Sequence, residues 1–278
     1  MPDVSIITPF RDGAHFLPGL VANLQRQSLP NWECLLVDHG SADGGGDLAR
    51  KLTATDPRFR LLVLPRLRAF DSQLPAIPRN RALAEIRSNL VAFLDVDDLW
   101  HPLKLERQLS FHKQHNLELS VTAFARFSGA GRSLGPWRLP PARGIQQQIR
   151  WRNPIPLLTT LVATELLHKG FPMHPHEDYL LWLEVLQEHP DIRYGCLPEL
   201  LAFYRCHSTN ISRIPHRVIR WTYGVYRATG EPPPQALARL LHWGLGHAVS
   251  ILRDQLPHRF LEGSLEELME QSPLILSK

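Results

Sequence analysis

Cysteine is scarce and unpatterned in this 278-residue chain. It has three, Cys34, Cys196 and Cys206, with no C-x-x-C spacing of the kind that holds a metal and an odd count that disulfides cannot use up. Free thiols in a reducing cytosol are the expectation. Long apolar runs are missing too. No stretch approaches the roughly 20 residues that span a bilayer, and the first residues enter a strand-like run with no basic, signal-type leader. The chain is therefore expected in the cytoplasm, with peripheral contact at the inner face of a membrane left open. Charge of one sign is also in short supply. The 31 Lys and Arg against 27 Asp and Glu give +4, and the basic residues are dispersed, so nucleic acid is not an expected partner. A mild basic surplus suits anionic substrates. No G-x-G-x-x-G follows the first strand-like run, which argues against a dinucleotide-dependent dehydrogenase.

The composition that remains, 44% hydrophobic and 21% charged, is that of an ordinary globular protein. Strand and helix patterns alternate along the first hundred residues. Val4–Pro9, Glu33–Val37, Phe59–Leu64 and Leu90–Leu94 read as strands, and Phe16–Gln27, Asp47–Thr53 and Arg79–Ile86 as helices. That alternation predicts an α/β fold with a Rossmann-like, predominantly parallel central sheet flanked by helices. Beyond it, Leu103–His115 reads as a helix, Leu119–Phe127 and Leu157–Ala163 as strands, and Glu165–Gly170 as a short helix stopped by glycine. Tyr179–Leu186 reads as a largely buried helix and Ile192–Arg205 as extended. Gly129–Arg152 has no clear period and reads as loops with a short helix, a place for substrate-specific structure. Helices are expected again from Ile214, interrupted by Pro232–Pro234.

Chemistry concentrates where strands should end. Val91–Leu94 breaks off into Asp95, Asp97 and Asp98. Asp is disfavoured inside strands, and open α/β sheets bind ligands beyond the carboxyl ends of their strands. Two readings fit this cluster alone: a hard-cation site with oxygen ligands, or a solvated turn capping the next helix. The loops at Thr8–Arg11, Asp38–Ser41 and Asp95–Asp98 should share one crevice, which favours a binding site.

Six segments in order resemble the family 2 glycosyltransferases. They are Ser5-Ile6-Ile7-Thr8-Pro9-Phe10, Leu36-Val37-Asp38-His39-Gly40-Ser41-Ala42-Asp43-Gly44, Pro78-Arg79-Asn80-Arg81-Ala82, Phe93-Leu94-Asp95-Val96-Asp97-Asp98, Glu177-Asp178-Tyr179-Leu180-Leu181-Trp182-Leu183 and Tyr204-Arg205-Cys206-His207 onward to Ser212. The resemblance runs from Val4 to Ser212. It implies a GT-A domain over residues 1–212, with a nucleotide-binding part to about residue 100 and an acceptor part after it, and leaves 213–278 as a helical C-terminal extension.

The same resemblance implies an inverting, metal-dependent glycosyltransferase. The sugar would move from a nucleotide-sugar donor, most simply a UDP-sugar, to a hydroxyl of a saccharide or lipid-linked acceptor in cell-surface polysaccharide or glycoconjugate synthesis. Thr8, Pro9, Phe10, Asp38, Arg79 and Asp95 are then expected to bind the nucleotide, with Asp38 reading the base and Asp95 near the ribose. Asp97 and His207 are expected to hold Mn²⁺ or Mg²⁺, and Asp178 to act as general base. The structural alternatives are an Asx-turn for Asp38, a solvent-facing helix-start cation for Arg79, a surface loop for His207, and an N-cap or dipole partner for Asp178, duties that Glu177 is placed to take instead. Asp43 reads as a turn or cap residue. His39 stands where the family often has a second Asp. Trp182, Leu180 and Leu183 have core spacing, whereas Trp137 and Trp151 stack on a sugar or simply pack. The apolar stretch Leu240–Leu252 packs back on the domain by default, or meets a second copy or a membrane. Two rival functions are a non-catalytic nucleotide-sugar-binding protein of this fold and a nucleotidyltransferase. The second lacks here the glycine- and lysine-rich phosphate loop it commonly uses.

Overall fold

A computed structural model describes residues 1–66, 74–128, 133–207, 215–254, 261 and 264–276. The expected alternation is present: β1 (Val4–Phe10), α1 (Leu17–Gln25), β2 (Trp32–His39), α2 (Gly45–Thr53), β3 (Phe59–Leu64), α3 (Ala76–Leu83) and β4 (Leu90–Phe93). After β4 come β5 (Leu99–Trp100), α4 (Lys104–Gln114), β6 (Leu119–Ser128), β7 (Ser133–Arg138), α5 (Ile145–Gln148), β8 (Leu161–Ala163), α6 (Glu177–Glu188) and β9 (Tyr194–Cys206). Three helices close the chain, α7 (Pro215–Ala228), α8 (Pro233–Asp254) and α9 (Leu265–Glu270).

Among the described residues the strands form one nine-stranded sheet in the order β3-β2-β1-β4-β8-β6-β9-β5, with β7 paired to β6. β3, β2, β1 and β4 run parallel, Ile6 lying opposite both Cys34 and Ala92. β8 is antiparallel to β4 on one side and to β6 on the other. It joins the parallel half to a second half in which β6 and β9 run parallel over ten paired positions, with register shifts around Ala123.

The pleat sorts the core. Ile7, Leu35, Val37, Val91 and Phe93 face α3, α6 and α7, whereas Ile6, Cys34, Leu36, Ala92 and Leu94 face α1, α2 and α4. Strands covered on both faces read as continuous apolar runs rather than alternating ones, which is why β1, β2 and β4 were conspicuous in the sequence. Trp182, Leu180 and Leu183 are buried as their spacing implied. Removing a side chain as large as Trp182 from such a core typically costs about 3–5 kcal/mol.

Beyond shifts at element ends, such as α3 starting at Ala76 and not Arg79, three segments differ from expectation. Leu157–Thr159 is a 3-10 turn, and only Leu161–Ala163 is strand, because the Thr159 and Thr160 hydroxyls bond back to the carbonyls of Pro156 and Leu157. The short helix expected from Glu165 is a 3-10 turn over Thr164–Leu167, with Gly170 at φ +70° after it. The unpatterned stretch contains β7, whose Ser133 and Leu134 pair with Ser128 and Phe127 at the far end of β6.

The boundary expected at residue 212 lies outside the described residues, as does Ser208–Ser212 of the last motif segment. Val225, Tyr226 and Ala236 from α7 and α8 are buried against the α6 side of the sheet, and Leu265, Leu268 and Met269 from α9 against β6, β7 and β9. Leu240 packs partly on that core, but Leu237, Leu241, Leu245, Val249 and Leu252 remain exposed along α8. No helix among the described residues is long and apolar enough to cross a membrane.

Candidate active site

The parallel strands end together, and their loops are stitched to one another. Asp12, at φ +50°, accepts from the Ala42 amide at 2.6 Å and donates its own amide to Ser41 Oγ at 3.0 Å. Asp43 accepts from the amides of Ala14 and Gly45 at 2.8 and 2.9 Å, the turn role of the two expected for it, while Gly44 and not Asp43 stands at the start of α2. Asp38 Oδ1 accepts from the Ser41 amide at 2.8 Å, three residues on, which holds the loop after β2.

These loops edge a cavity of about 460 Å³ lined by Pro9, Phe10, Arg11, His39, Leu74, Pro75, Pro78, Arg79, Asp95, Val96 and Asp97. A depression of about 520 Å³ around Trp32, Arg58, Arg60 and Arg87 lies elsewhere and holds none of the motif residues. Of the residues expected at the nucleotide, Pro9, Phe10, Arg79 and Asp95 are in the first cavity's wall. Thr8 is fully buried in β1 and Asp38 is buried behind its loop, and neither lines that wall. Successive strand residues point to opposite faces, so His39, not Asp38, is presented to the cavity. His39 is 5% exposed, and its Nε2 has no hydrogen-bond partner among the described residues. Burial and then the nearby Arg11 hold this imidazole below its ordinary pKa, with Asp38 pulling the other way.

Arg79 is not a solvent-facing cation. It is buried, donates Nη2 to Asp95 Oδ1 at 2.7 Å, and pairs through Nη1 with Glu177. Burial lowers its pKa, but Asp95 and Glu177 more than offset that. Glu177 does not cap α6. Its buried carboxyl is committed to Arg79, and burial pushes it up to about 8 against that cation's pull. Arg79 thus ties the acidic strand end to the start of α6, where Asp178 follows Glu177 and acts on the same guanidinium electrostatically. Asp178 is half-buried. Its Oδ1 accepts from the Tyr179 amide at 2.8 Å and its Oδ2 from Asn153 Nδ2 at 2.9 Å.

The other end of the cluster is held by the last residues of β9. Arg205 donates its amide to Asp98 Oδ1 at 2.8 Å and its Nε to the Asp97 carbonyl at 2.7 Å. His207 Nε2 lies 2.7 Å from Asp97 Oδ2. Asp98 is 2% exposed and positions this corner from inside. Burial, followed by repulsion from Asp97 and Asp95, holds it well above the usual carboxylate range. Burial and then Asp95 also raise Asp97, opposed by His207. Like charges crowded into a half-buried corner favour a cation. Among the described residues no three His, Cys, Asp or Glu side chains converge into a complete cage. Asp97 and His207 together offer one carboxylate and one imidazole that could hold an ion needing further ligands from outside the protein, as Mg²⁺ commonly does. The imidazole suits Mn²⁺ better.

The family description Glycosyl transferase family 2 matches residues 5–162. The chain belongs to this family. It is a glycosyltransferase. Among its relatives is the putative teichuronic acid biosynthesis glycosyltransferase TuaG of Bacillus subtilis, 30% identical over 230 residues that cover 81% of this chain and 88% of that one. Another is the Escherichia coli UDP-Glc:alpha-D-GlcNAc-diphosphoundecaprenol beta-1,3-glucosyltransferase WfgD, 26% identical over 86% of this chain and 91% of that one. Among solved structures, S. aureus TarS 1-349 in complex with UDP-GlcNAc superposes at a TM-score of 0.64 and 18% identity, covering 87% of this chain and 71% of that one. The mannosyltransferase PcManGT from Pyrobaculum calidifontis, in complex with GDP-Man and Mn²⁺, does so at 0.63 and 18%, covering 92% and 77%. The fold of this family 2 glycosyltransferase is therefore GT-A.

Several site residues were invisible as such in the sequence. Arg205 stood inside a motif segment without a role. Arg11 ended one of the loops expected at the crevice but had no role of its own, and Asn153 carried no signal, lying just past the unpatterned stretch. Trp137 is buried against β6, whereas Trp151 is 43% exposed with its ring against His242.

Proposed function

We propose that this glycosyltransferase transfers a sugar, with inversion, from a UDP-sugar to a saccharide hydroxyl on a lipid-linked acceptor during cell-surface polysaccharide synthesis. The observation that carries this reading is the placement of Asp95 and Glu177 on the two arms of Arg79. That bridge sets the acidic floor of the cavity beside Asp178, so a donor and an attacking hydroxyl can meet between them. The UDP and lipid-diphosphate assignments are drawn from relatives. WfgD is named for UDP-Glc and a diphosphoundecaprenol acceptor, and TarS is held with UDP-GlcNAc.

The base lies against Pro9, Phe10 and His39, with Asp38 holding the loop behind them and Thr8 in the strand floor. Asp95 faces the ribose, and Arg79 fixes Asp95 in place. Asp97 and His207 hold a divalent ion, Mn²⁺ or Mg²⁺, which when bound neutralises charge gathering on the departing diphosphate. Asp178 takes the proton from the acceptor hydroxyl while that oxygen attacks the anomeric carbon. The bond from that carbon to the diphosphate oxygen breaks, the nucleoside diphosphate leaves with the electron pair, and the configuration inverts.

The test is nucleoside diphosphate release from UDP-glucose, UDP-galactose, UDP-GlcNAc and GDP-mannose with Mn²⁺, with and without a GlcNAc-diphospholipid acceptor. Acceptor-dependent UDP release that D178N abolishes, while UDP binding persists, is the expected result. Preference for GDP-mannose would overturn the donor assignment, and full turnover by D178N would overturn the base. D97A should weaken UDP binding in Mn²⁺ and leave binding in EDTA unchanged. An equal loss in both would argue against ligation by Asp97.

A further inference from the structure

The chain just before β8 approaches the start of α6 through one side chain, Asn153. Its Nδ2 lies 2.9 Å from Asp178 Oδ2, and its Oδ1 accepts from the Ile155 amide at 3.0 Å. The second bond decides the first. An amide N–H can only donate, so the atom facing Ile155 is the oxygen, and the atom facing Asp178 is the NH₂. The side chain cannot flip without losing both bonds. Its backbone is also held. Pro154 follows, which biases Asn153 toward extended structure, and Ile155 is fully buried. Tyr179 donates its hydroxyl to the Ile149 carbonyl and Tyr226 to the Trp151 carbonyl, each at 2.9 Å. The segment from Ile149 to Ile155 is thus fastened to α6 and α7 at three points around Asp178.

We propose that Asn153 is the positioning residue of the general base. It rests on the reading of Asp178 given above and adds how that carboxylate is aimed. The Tyr179 amide holds Oδ1 and Asn153 holds Oδ2. With both oxygens engaged, the side chain is fixed in one rotamer.

N153D tests this with little change of shape. An Asp there still accepts from the Ile155 amide but offers no donor to Asp178, and it adds a like charge. N153A removes the donor without the charge. In the UDP-release assay, both should lower kcat on the order of tenfold to a hundredfold, the size expected for a lost hydrogen bond to a charged group. The KM for the UDP-sugar should stay within about twofold, and the acid limb of the pH–rate profile should move to higher pH, further in N153D than in N153A. A residue that only ties the loop down would lower thermal stability and leave that limb in place. D178N separates the two readings. If it is inactive while N153D and N153A match wild type in kcat and pH profile, the positioning role is overturned and the base stands. If D178N turns over at the wild-type rate, the base assignment falls first.

Discussion

Arg79 and Asp95 meet at 2.7 Å, and the same guanidinium reaches back to Glu177, so one buried cation joins two carboxylates 82 residues apart in sequence. Taking one partner from a buried ion pair leaves an uncompensated charge, at a cost of about 3–5 kcal/mol, whereas replacing the pair with apolar residues is often neutral. R79A should therefore lose about 3–5 kcal/mol in urea unfolding. R79M/E177L should recover most of that stability and none of the activity. A double variant as unstable as R79A would show that the bridge is not what Glu177 depends on.

Lys104 is fully buried, and its Nζ has no hydrogen-bond partner among the described residues. It lies 3.8 Å from the centre of the Trp100 ring, and burial holds it well below the usual lysine range. The ring face does not repay the lost hydration. K104M keeps the stem's volume and removes the amine. We expect it to raise unfolding stability by about 1–2 kcal/mol, and a loss of that size would mean the amine has a partner that stabilises it.

His112 is 4% exposed on α4, and its Nδ1 lies 3.0 Å from Ser120 Oγ. Burial pushes its pKa down to about 4, with Glu118 pulling weakly the other way. A folded-state pKa below the unfolded value of about 6.5 means the fold prefers the neutral ring. Its contribution is whole above pH 6.5 and drains away as pH falls from there through about 4, by up to about 3 kcal/mol. H112Q should flatten the fall in stability between those limits. Parallel wild-type and variant curves of unfolding free energy against pH would show that His112 does not drive it.

Gly40 sits at φ +72° in the loop after β2, and a Cβ there would lie 2.5 Å from the Arg66 Cα. G40A should cost at least about 2 kcal/mol from strain and the backbone clash together, and weaken UDP binding by shifting the Asp38 loop. Gly19, exposed on α1, has nothing within 4 Å of its would-be Cβ. G19A should stabilise by about 0.5–1 kcal/mol through helix propensity. Equal melting temperatures for the two variants would refute this contrast.

Much of the half built on β1 to β4 was legible because its strands are buried on both faces and stop at polar loops. Ile6, Ile7, Leu35, Val37 and Val91–Leu94 announce strands, and Asp95–Asp98 announces where one ends. The choice between Asp38 and His39 was not legible. Neighbours on a strand face opposite ways, and which face bears the cavity depends on where α3 docks, a tertiary fact. Arg205 and Asn153 were hidden for a related reason. Each works through a partner more than twenty positions away, Asp97 and Asp98 for the one and Asp178 for the other, and neither pairing leaves a local period. The turn at Leu157–Thr159 was misread because its apolar residues suit a strand, whereas the threonine hydroxyls that bend it act on the backbone.

β8 is three residues long, yet it is bonded on one edge to β4 and on the other to β6. The half built on β1 to β4 and the half built on β6 and β9 are therefore one continuous sheet and not two lobes on a hinge. An enzyme built this way cannot clamp its substrates by swinging one half over the other, since that would shear the ladder through β8. Its discrimination between substrates then has to reside in the loops that ring the sheet's edge.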